Sequence, residues 1–195
     1  MSFDNVRARF AAITLARGVY FYDGKTEFDL TCLITAARDD DLITMMNLIE
    51  LGFDVNFHIE NFPLLETALH CAVRNNSLPA VMFLLALGAD MRIPNANEGA
   101  TPFCLAVLLG HIEIVRYMLE KGARADDVSS EQKTPPIVWG AVTNQHDCIQ
   151  LLLQYKADIN QRSSDNYSAL YFAIDKGHAA LADALVRWGA TKEEE

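Results

Sequence analysis

The four cysteines are among the side chains of this sequence best suited to catalysis or metal binding. Cys32, Cys71, Cys104 and Cys148 are 39, 33 and 44 residues apart, so no CxxC pair of the kind used by zinc sites and redox dithiols is present. Each lies within an apolar run, which predicts buried free thiols. No Ser-His-Asp or Cys-His arrangement can be assembled from the spacing either. We therefore predict no catalytic residue, no metal ligand and no cofactor.

The acidic run Asp39-Asp40-Asp41 and the glycines give no stronger signal of chemistry. Adjacent carboxylates at a turn rarely converge on one cation, and they favour the start of a following helix. We therefore predict a solvated, helix-capping role for this run rather than metal binding. The glycines are spread along the chain and form no phosphate-binding loop.

Composition narrows the class of protein. The 195 residues are 51% hydrophobic and carry a formal net charge of -10, with a pI of about 4.9. Such acidity argues against nucleic-acid binding, which needs clustered Lys and Arg. No apolar run reaches the roughly 18 residues of a membrane span, and the N-terminus lacks a signal-peptide pattern. These features predict a globular cytoplasmic protein that does not insert into membranes.

A short motif recurs along the chain, with glycine as its first residue in four of five copies, and it predicts how the fold is organised. Its copies are spaced by 36, 34, 34 and 33 residues. A helix-opening residue stands 21 positions before each copy, namely Thr31, Thr67, Thr101, Pro135 and Ser168. The motif copies begin at Gly52, Gly88, Gly122, Lys156 and Gly189, so the fourth lacks the glycine.

Between each opening residue and the next motif, the pattern predicts two short helices joined by a turn. In the third copy, Phe103, Ala106, Val107 and Gly110 lie on one helical face. A small residue occurs at the same place in every copy, which predicts close helix approach there. These residues are Ala36, Ala72, Ala106, Gly140 and Ala173. Because one unit cannot bury both of its apolar stripes, neighbouring units must stack.

The segment Thr67-Ala68-Leu69-His70-Cys71-Ala72 and its copies resemble the ankyrin repeat, whose pattern is T-P-L-H-x-A at a period of about 33. The resemblance covers residues 27–191 and implies an all-α solenoid of five helix-turn-helix units with hairpin loops. The units are expected at 27–62, 63–96, 97–130, 131–163 and 164–195, and residues 1–26 are expected to contain an N-terminal capping helix, over 3–17. For His70, His111 and His178 the resemblance implies local hydrogen bonds that tie turns together.

The resemblance also implies a partner-binding surface on the concave face, formed by the inner helices and hairpin tips. An apolar centre with a charged rim would suit a protein interface. The same apolar residues could instead tuck between adjacent inner helices, and the sequence leaves both interpretations open. The candidate partner-binding residues are Phe28, Leu64, Arg74, Asn75, Leu108, Leu109, Trp139, Val142, Thr143, Asp175 and Lys176. The apolar segment from Phe57 to Leu65 is an alternative interface.

Two asparagines raise the question of modification. Asn56 and Asn160 each follow an Asp and a β-branched residue, with a Leu eight positions earlier. This resembles the pattern that asparaginyl hydroxylases use on ankyrin hairpins. The alternative, which we favour, is that Asp and Asn only stabilise the turn through hydrogen bonds to the backbone.

These observations predict a non-catalytic module that binds a partner protein, with a modest preference for a basic or amphipathic partner because of the net charge of -10. One alternative function is a recruitment or regulatory component of an enzyme system, such as a microbial effector acting in a host cell. Another is the binding of a small molecule near Trp139. The oligomeric state and the identity of the partner are not predicted.

Overall fold

The computed structural model describes residues 27–50, 54–56, 66–96, 99–128 and 133–191, with the side chains from residue 33 onward. Within these ranges the chain forms ten α-helices and no β-strand beyond one isolated bridge between Arg162 and Ser168. In chain order the helices are α1 (Glu27–Arg38), α2 (Leu42–Glu50), α3 (Ala68–Arg74), α4 (Leu78–Ala86), α5 (Pro102–Leu109), α6 (Ile112–Glu120), α7 (Pro136–Val142), α8 (His146–Gln154), α9 (Ala169–Asp175) and α10 (Ala179–Arg187).

The helices form five antiparallel pairs that stack side by side. The first helix of each pair (α1, α3, α5, α7, α9) contacts the first helix of the next pair and builds an inner row. The second helices form an outer row, in which α6 lies between α4 and α8. The prediction of an all-α solenoid is confirmed.

The inner helices begin where the sequence predicts in four of the five pairs. Thr67, Thr101 and Ser168 stand directly before their helices, and each side-chain oxygen accepts a hydrogen bond from a backbone N–H of the first turn. Pro135 takes the same place before α7 without a side-chain cap. These four predicted helix starts are confirmed.

Thr31 was predicted to open the first inner helix, and this prediction is wrong. Helix α1 begins at Glu27, so Thr31 lies inside it. Residues 27–30 contain no Gly or Pro and include Glu27 and Leu30, which have high helix propensity. Nothing in the sequence therefore interrupts the helix before Thr31, and residues 27 and 28 belong to the helix rather than to a preceding hairpin.

The outer helices α4, α6, α8 and α10 are each followed, after one cap residue, by a residue with left-handed backbone geometry. Gly88, Gly122 and Gly189 have φ angles of +87°, +99° and +106°, which glycine adopts without strain. In the fourth repeat Lys156 adopts a φ of +67° at the same place. The chain thus makes the same turn without glycine, at a cost of roughly 1 kcal/mol.

The core lies between the two rows of helices. The recurring small residues Ala72, Ala106 and Ala173 are fully buried, as close helix approach requires. On α6, the predicted stripe of Ile114, Val115 and Met118 is also fully buried. The predicted capping helix over 3–17 lies outside the described residues, and the unit boundaries stay predictions.

Candidate functional site

The candidate site is the face formed by the C-terminal ends of the inner helices and the residues directly before them. The three apolar residues predicted at its centre differ in exposure. Leu108 is half-buried and packs against the core, and Val142 is also half-buried. Leu109 is 37% exposed to solvent. Both interpretations of these residues are therefore partly realised, since Leu108 tucks inward and Leu109 faces outward.

Asn75 and Thr143 occupy equivalent places after α3 and α7, and both side chains bind the preceding repeat. The Asn75 amide Nδ2 donates to the Arg38 carbonyl. The Thr143 hydroxyl donates to the Leu108 carbonyl at 2.7 Å. His178 follows the same logic, with its Nε2 3.2 Å from the Val142 carbonyl. These polar groups therefore hold adjacent inner helices together.

The predicted rim residue Arg74 belongs to a largely buried polar cluster. Its Nε lies 2.5 Å from Oε1 of Glu66, whose side chain is only 5% exposed. Asn95 Nδ2 reaches the same carboxylate oxygen at 3.4 Å, and the Cys71 thiol lies 3.7 Å from its Oε2. Burial, reinforced by the nearby Glu66 charge, raises the pKa of Cys71 to about 12, so this thiol stays protonated. Arg74 thus anchors Glu66 as well as facing the candidate site.

At the C-terminal end of the stack, the predicted residues Asp175 and Lys176 are exposed and form an ion pair with Nζ 3.0 Å from Oδ2. Their neighbour Ile174 is 61% exposed. Tyr167 and Tyr171 stack with ring centroids 4.1 Å apart, and Phe172 meets Tyr171 edge-on. Sequence reasoning missed this aromatic cluster, although aromatic residues around the helix-opening Ser168 could have indicated it, because they are enriched at interfaces.

Trp139 lies half-buried on α7, at the place that Phe172 occupies on the adjacent helix α9. Its indole Nε1 is enclosed and has no hydrogen-bond partner among the described residues. A groove of about 650 Å³ lies elsewhere, between the second and third hairpins, lined by residues that include Met91, Arg92 and Arg124. Small-molecule binding beside Trp139 stays a prediction.

The side chains of Phe28 and Leu64, and the segment from Phe57 to Leu65, lie outside the described residues.

Asn56 and Asn160 both join one hairpin to the next. The Oδ1 atom of Asn56 accepts a hydrogen bond from the Asp90 N–H at 2.7 Å. Asn160 accepts from the Thr191 N–H at 2.9 Å in the same way. Each asparagine also donates its own N–H to the Asp two residues earlier, Asp54 or Asp158, at 2.9 Å. The two side chains thus have a structural role in the described hairpins.

Among the described residues, His70, Cys104 and Cys148 are buried and His111 is half-buried. The imidazole of His70 is fully buried, with Nδ1 accepting from the Thr67 N–H at 3.1 Å and Nε2 3.2 Å from the Ala100 carbonyl. Burial lowers the pKa of the half-buried His111, which disfavours its imidazolium form. Cys104 and Cys148 are free and buried, and burial raises the pKa of each to about 11. Across the described part of the chain, no group of three or more His, Cys, Asp or Glu side chains could hold a metal ion.

The stacked helix pairs and their interlocking hairpins define a helical-repeat solenoid. The chain matches the family described as ankyrin repeats in overlapping segments, 13–95, 33–129, 75–163 and 125–195. It therefore belongs to the ankyrin-repeat family. No helix in the described ranges is both long and apolar enough to cross a bilayer.

Known proteins similar to this chain come from different kinds of organism. The B-cell lymphoma 3 protein homolog of Mus musculus is 33% identical over 129 residues, which cover 64% of this chain and 29% of that protein. Rabankyrin-5 of Homo sapiens is 33% identical over 56% of this chain and 10% of its own length. Phosphocholine transferase AnkX of Legionella pneumophila is 28% identical over 67% of this chain and 14% of its own length. The chain thus spans less than a third of each of these relatives.

Proposed function

We propose that this chain binds a partner protein through its concave face, with the apolar centre formed by Leu108, Leu109 and Val142, since ankyrin repeats mediate protein–protein interaction. The observation that carries the proposal is the 37% exposure of Leu109 beside two half-buried apolar neighbours, Leu108 and Val142. A partly exposed apolar centre gains free energy when a partner covers it.

Charged residues flank this centre on both sides. Arg38 and Asp39 pair at one side, and Asp175 and Lys176 pair at the other. Because each charge has an opposite neighbour, the described rim is close to neutral. It would fix the orientation of a partner more than it would attract one from a distance. Within this proposal, the aromatic cluster of Tyr167, Tyr171 and Phe172 extends the contact surface toward the fifth repeat.

The test compares two variants that each add one positive charge, one on the proposed interface and one on the opposite surface. Leu109→Arg places a charge in the centre of the proposed interface, and Gln150→Arg places one on the exposed surface of the outer helix α8. We expect proteins captured by the wild-type chain in its native organism to be lost with Leu109→Arg and kept with Gln150→Arg. Circular dichroism checks that both variants fold. Equal capture by all three proteins would contradict the concave interface.

A second proposed function is recruitment within an enzyme system, such as a microbial effector that acts in a host cell. The similarity to phosphocholine transferase AnkX favours it, because there the matching region is a small part of a larger enzyme. A reporter enzyme fused to the chain tests the effector form of this proposal. Activity of the reporter inside host cells is expected, whereas retention of all activity in the producing cell would exclude it.

Hydroxylation of Asn56 and Asn160 stays a prediction beside their structural role. Intact-mass measurement after incubation with an asparaginyl hydroxylase tests it, and a mass without added oxygen would end it.

A further inference from the structure

The outer helices of the first two repeats carry large apolar side chains on their solvent-facing side. Ile43 and Met46 on α2 are 70% and 44% exposed, and Met82 on α4 is 43% exposed. Leu87, directly after α4, is 40% exposed. We call these four residues the apolar outer face. It lies on the helix row opposite to the proposed concave interface.

The later outer helices α6 and α8 differ at the position of Met46 and Met82. Met46 and Met82 are each the fifth residue of their helix, and the fifth residues of α6 and α8 are Arg116 and Gln150, both exposed. A polar residue at this place is the expected choice for a solvated helix surface. The exposed methionines are therefore a property of the first two repeats and not of the repeat pattern.

Hydrogen bonds tie together the segments that precede and follow α2 and α4. Before the helices, the Ser77 hydroxyl donates to Oδ1 of Asp40. After them, Asn56 accepts from the Asp90 N–H at 2.7 Å. Because Met46 and Met82 occupy the same position in neighbouring repeats and both are exposed, they face solvent on the same side of the stack.

Negative charge surrounds this surface. Residues 39–73 contain seven Asp or Glu and no Lys or Arg. Asp39, Asp40 and Asp41 are exposed before α2, and Glu50 and Asp54 are exposed at its other end. The two cations that flank this stretch are both paired, Arg38 with Asp39 and Arg74 with the buried Glu66, so Asp40, Asp41, Glu50 and Asp54 carry the negative charge. Anionic lipids and a second copy of the same acidic face would both be repelled.

We propose that the apolar outer face binds a basic amphipathic helix of a partner protein. The apolar side of such a helix would cover Ile43, Met46 and Met82, and its Lys or Arg residues would face the surrounding carboxylates. Methionine suits this contact because its unbranched side chain adapts to different apolar shapes. A helix of about 14 residues is roughly 21 Å long and can cross both α2 and α4.

The first test uses a fluorescent 14-residue peptide of Leu and Lys, with the leucines at helical spacing, and the full chain. We expect saturable binding, weakened about tenfold by Met46→Gln with Met82→Gln, because these exchanges remove apolar contact without adding charge. Val186→Gln is the matched control, since Val186 is 43% exposed on the distant helix α10. Its affinity should stay within about twofold of wild type. Leu109→Arg should also leave it unchanged, which separates this site from the concave one.

A second pair of measurements tests the charge and the identity of the occupant. Glu50→Gln should weaken binding about twofold and reduce its dependence on salt. A peptide of the same composition in scrambled order should bind at least about tenfold more weakly, because only the helical order forms an apolar side.

Several results would overturn the proposal. They are the absence of saturable binding, equal binding of the scrambled peptide, and equal loss with Val186→Gln. Sedimentation showing a dimer that Met46→Gln dissociates would assign the face to a second copy of the chain. Binding to phosphatidylserine vesicles that Met46→Gln abolishes would assign it to lipid.

Discussion

The second and fourth repeats form the same helix pair, but they differ in the residues that cap the inner helix, that lie at the close helix approach and that form the final turn. Before α3, Thr67 and His70 satisfy each other's backbone N–H groups in a capping box. Before α7, Pro135 provides no side-chain cap. The second repeat has Ala72 at the close helix approach and the glycine turn at Gly88, where the fourth has Gly140 and Lys156. Both nevertheless occupy the same place in the stack.

This difference shows which interactions are required. A cap or a turn glycine contributes about 1 kcal/mol each, and a repeat tolerates the loss of one or two of them. The apolar contacts with neighbouring helices are not optional, because no single repeat can bury its own stripes. The stacking of apolar helix faces thus determines the fold, whereas the cap residues and turn glycines change only its stability.

The largest change in the free energy of unfolding is expected when His70 of the second repeat is replaced by the residue found at the equivalent place in the fourth. His70→Val copies Val138, which occupies the equivalent buried place. The exchange leaves the Thr67 N–H buried without its acceptor and breaks the link to the Ala100 carbonyl of the third repeat. We expect a loss of about 3 kcal/mol, measured by urea unfolding.

Cys104→Val is the control for His70→Val, because Cys104 occupies the same place in the third repeat and its thiol makes only weak contacts, such as the one at 4.0 Å to the Asp127 carbonyl oxygen. It should cost less than about 1 kcal/mol. Equal losses in the two variants would show that the hydrogen bonds of His70 are not what stabilises the second repeat.

A smaller effect is expected from enlarging the fourth repeat at Gly140. A Cβ atom there would lie 2.9 Å from Cγ1 of Ile149 and 3.2 Å from Cγ1 of Val107. Gly140→Val should therefore cost about 2 kcal/mol through overpacking. Gly140→Ala should cost less, because the higher helix propensity of alanine offsets part of the strain. A Gly140→Val protein that unfolds at the wild-type urea concentration would contradict the close approach.

The smallest effect, a gain, is expected from giving the fourth repeat the turn residue of the second. Lys156→Gly removes a lysine whose backbone is in the left-handed region, and it should raise the free energy of unfolding by about 0.5–1 kcal/mol. The reverse exchange, Gly122→Lys, should cost about 1–2 kcal/mol through the backbone alone, because no heavy atom lies within 4 Å of the added Cβ. A melting temperature unchanged in both variants would show that this turn is not strained.

Much of the fold could be predicted because the repeat places like residues at like positions. Thr67, Thr101, Pro135 and Ser168 precede their helices as predicted, and even Lys156 takes the geometry of the glycine it replaces. The prediction that Thr31 opens a helix failed because a threonine marks a helix start only when the residues before it are not helical themselves. Residues 27–30 are helical, and the recurring pattern contains no information about them.

The candidate site was less predictable because exposure depends on neighbours in space. Leu108 and Leu109 are adjacent and chemically identical, yet one packs against the core and the other faces solvent. Asn75 and Thr143 were selected as surface residues, but their donors reach carbonyl groups about one repeat earlier. The apolar outer face escaped notice because Ile43, Met46 and Met82 look like core residues of a helix until the helix is oriented.

The hydrogen bonds between successive inner helices depend on position rather than on residue type. Asn75, Thr143 and His178 are chemically different, and each reaches a main-chain carbonyl, which every residue possesses. At these three positions the preceding repeat needs no particular side-chain acceptor, in contrast to Asp40, which accepts from Ser77. Such a chain can lose, gain or exchange whole repeats by recombination and still form these hydrogen bonds between neighbouring repeats. Its length and its binding surface can therefore evolve separately from its fold.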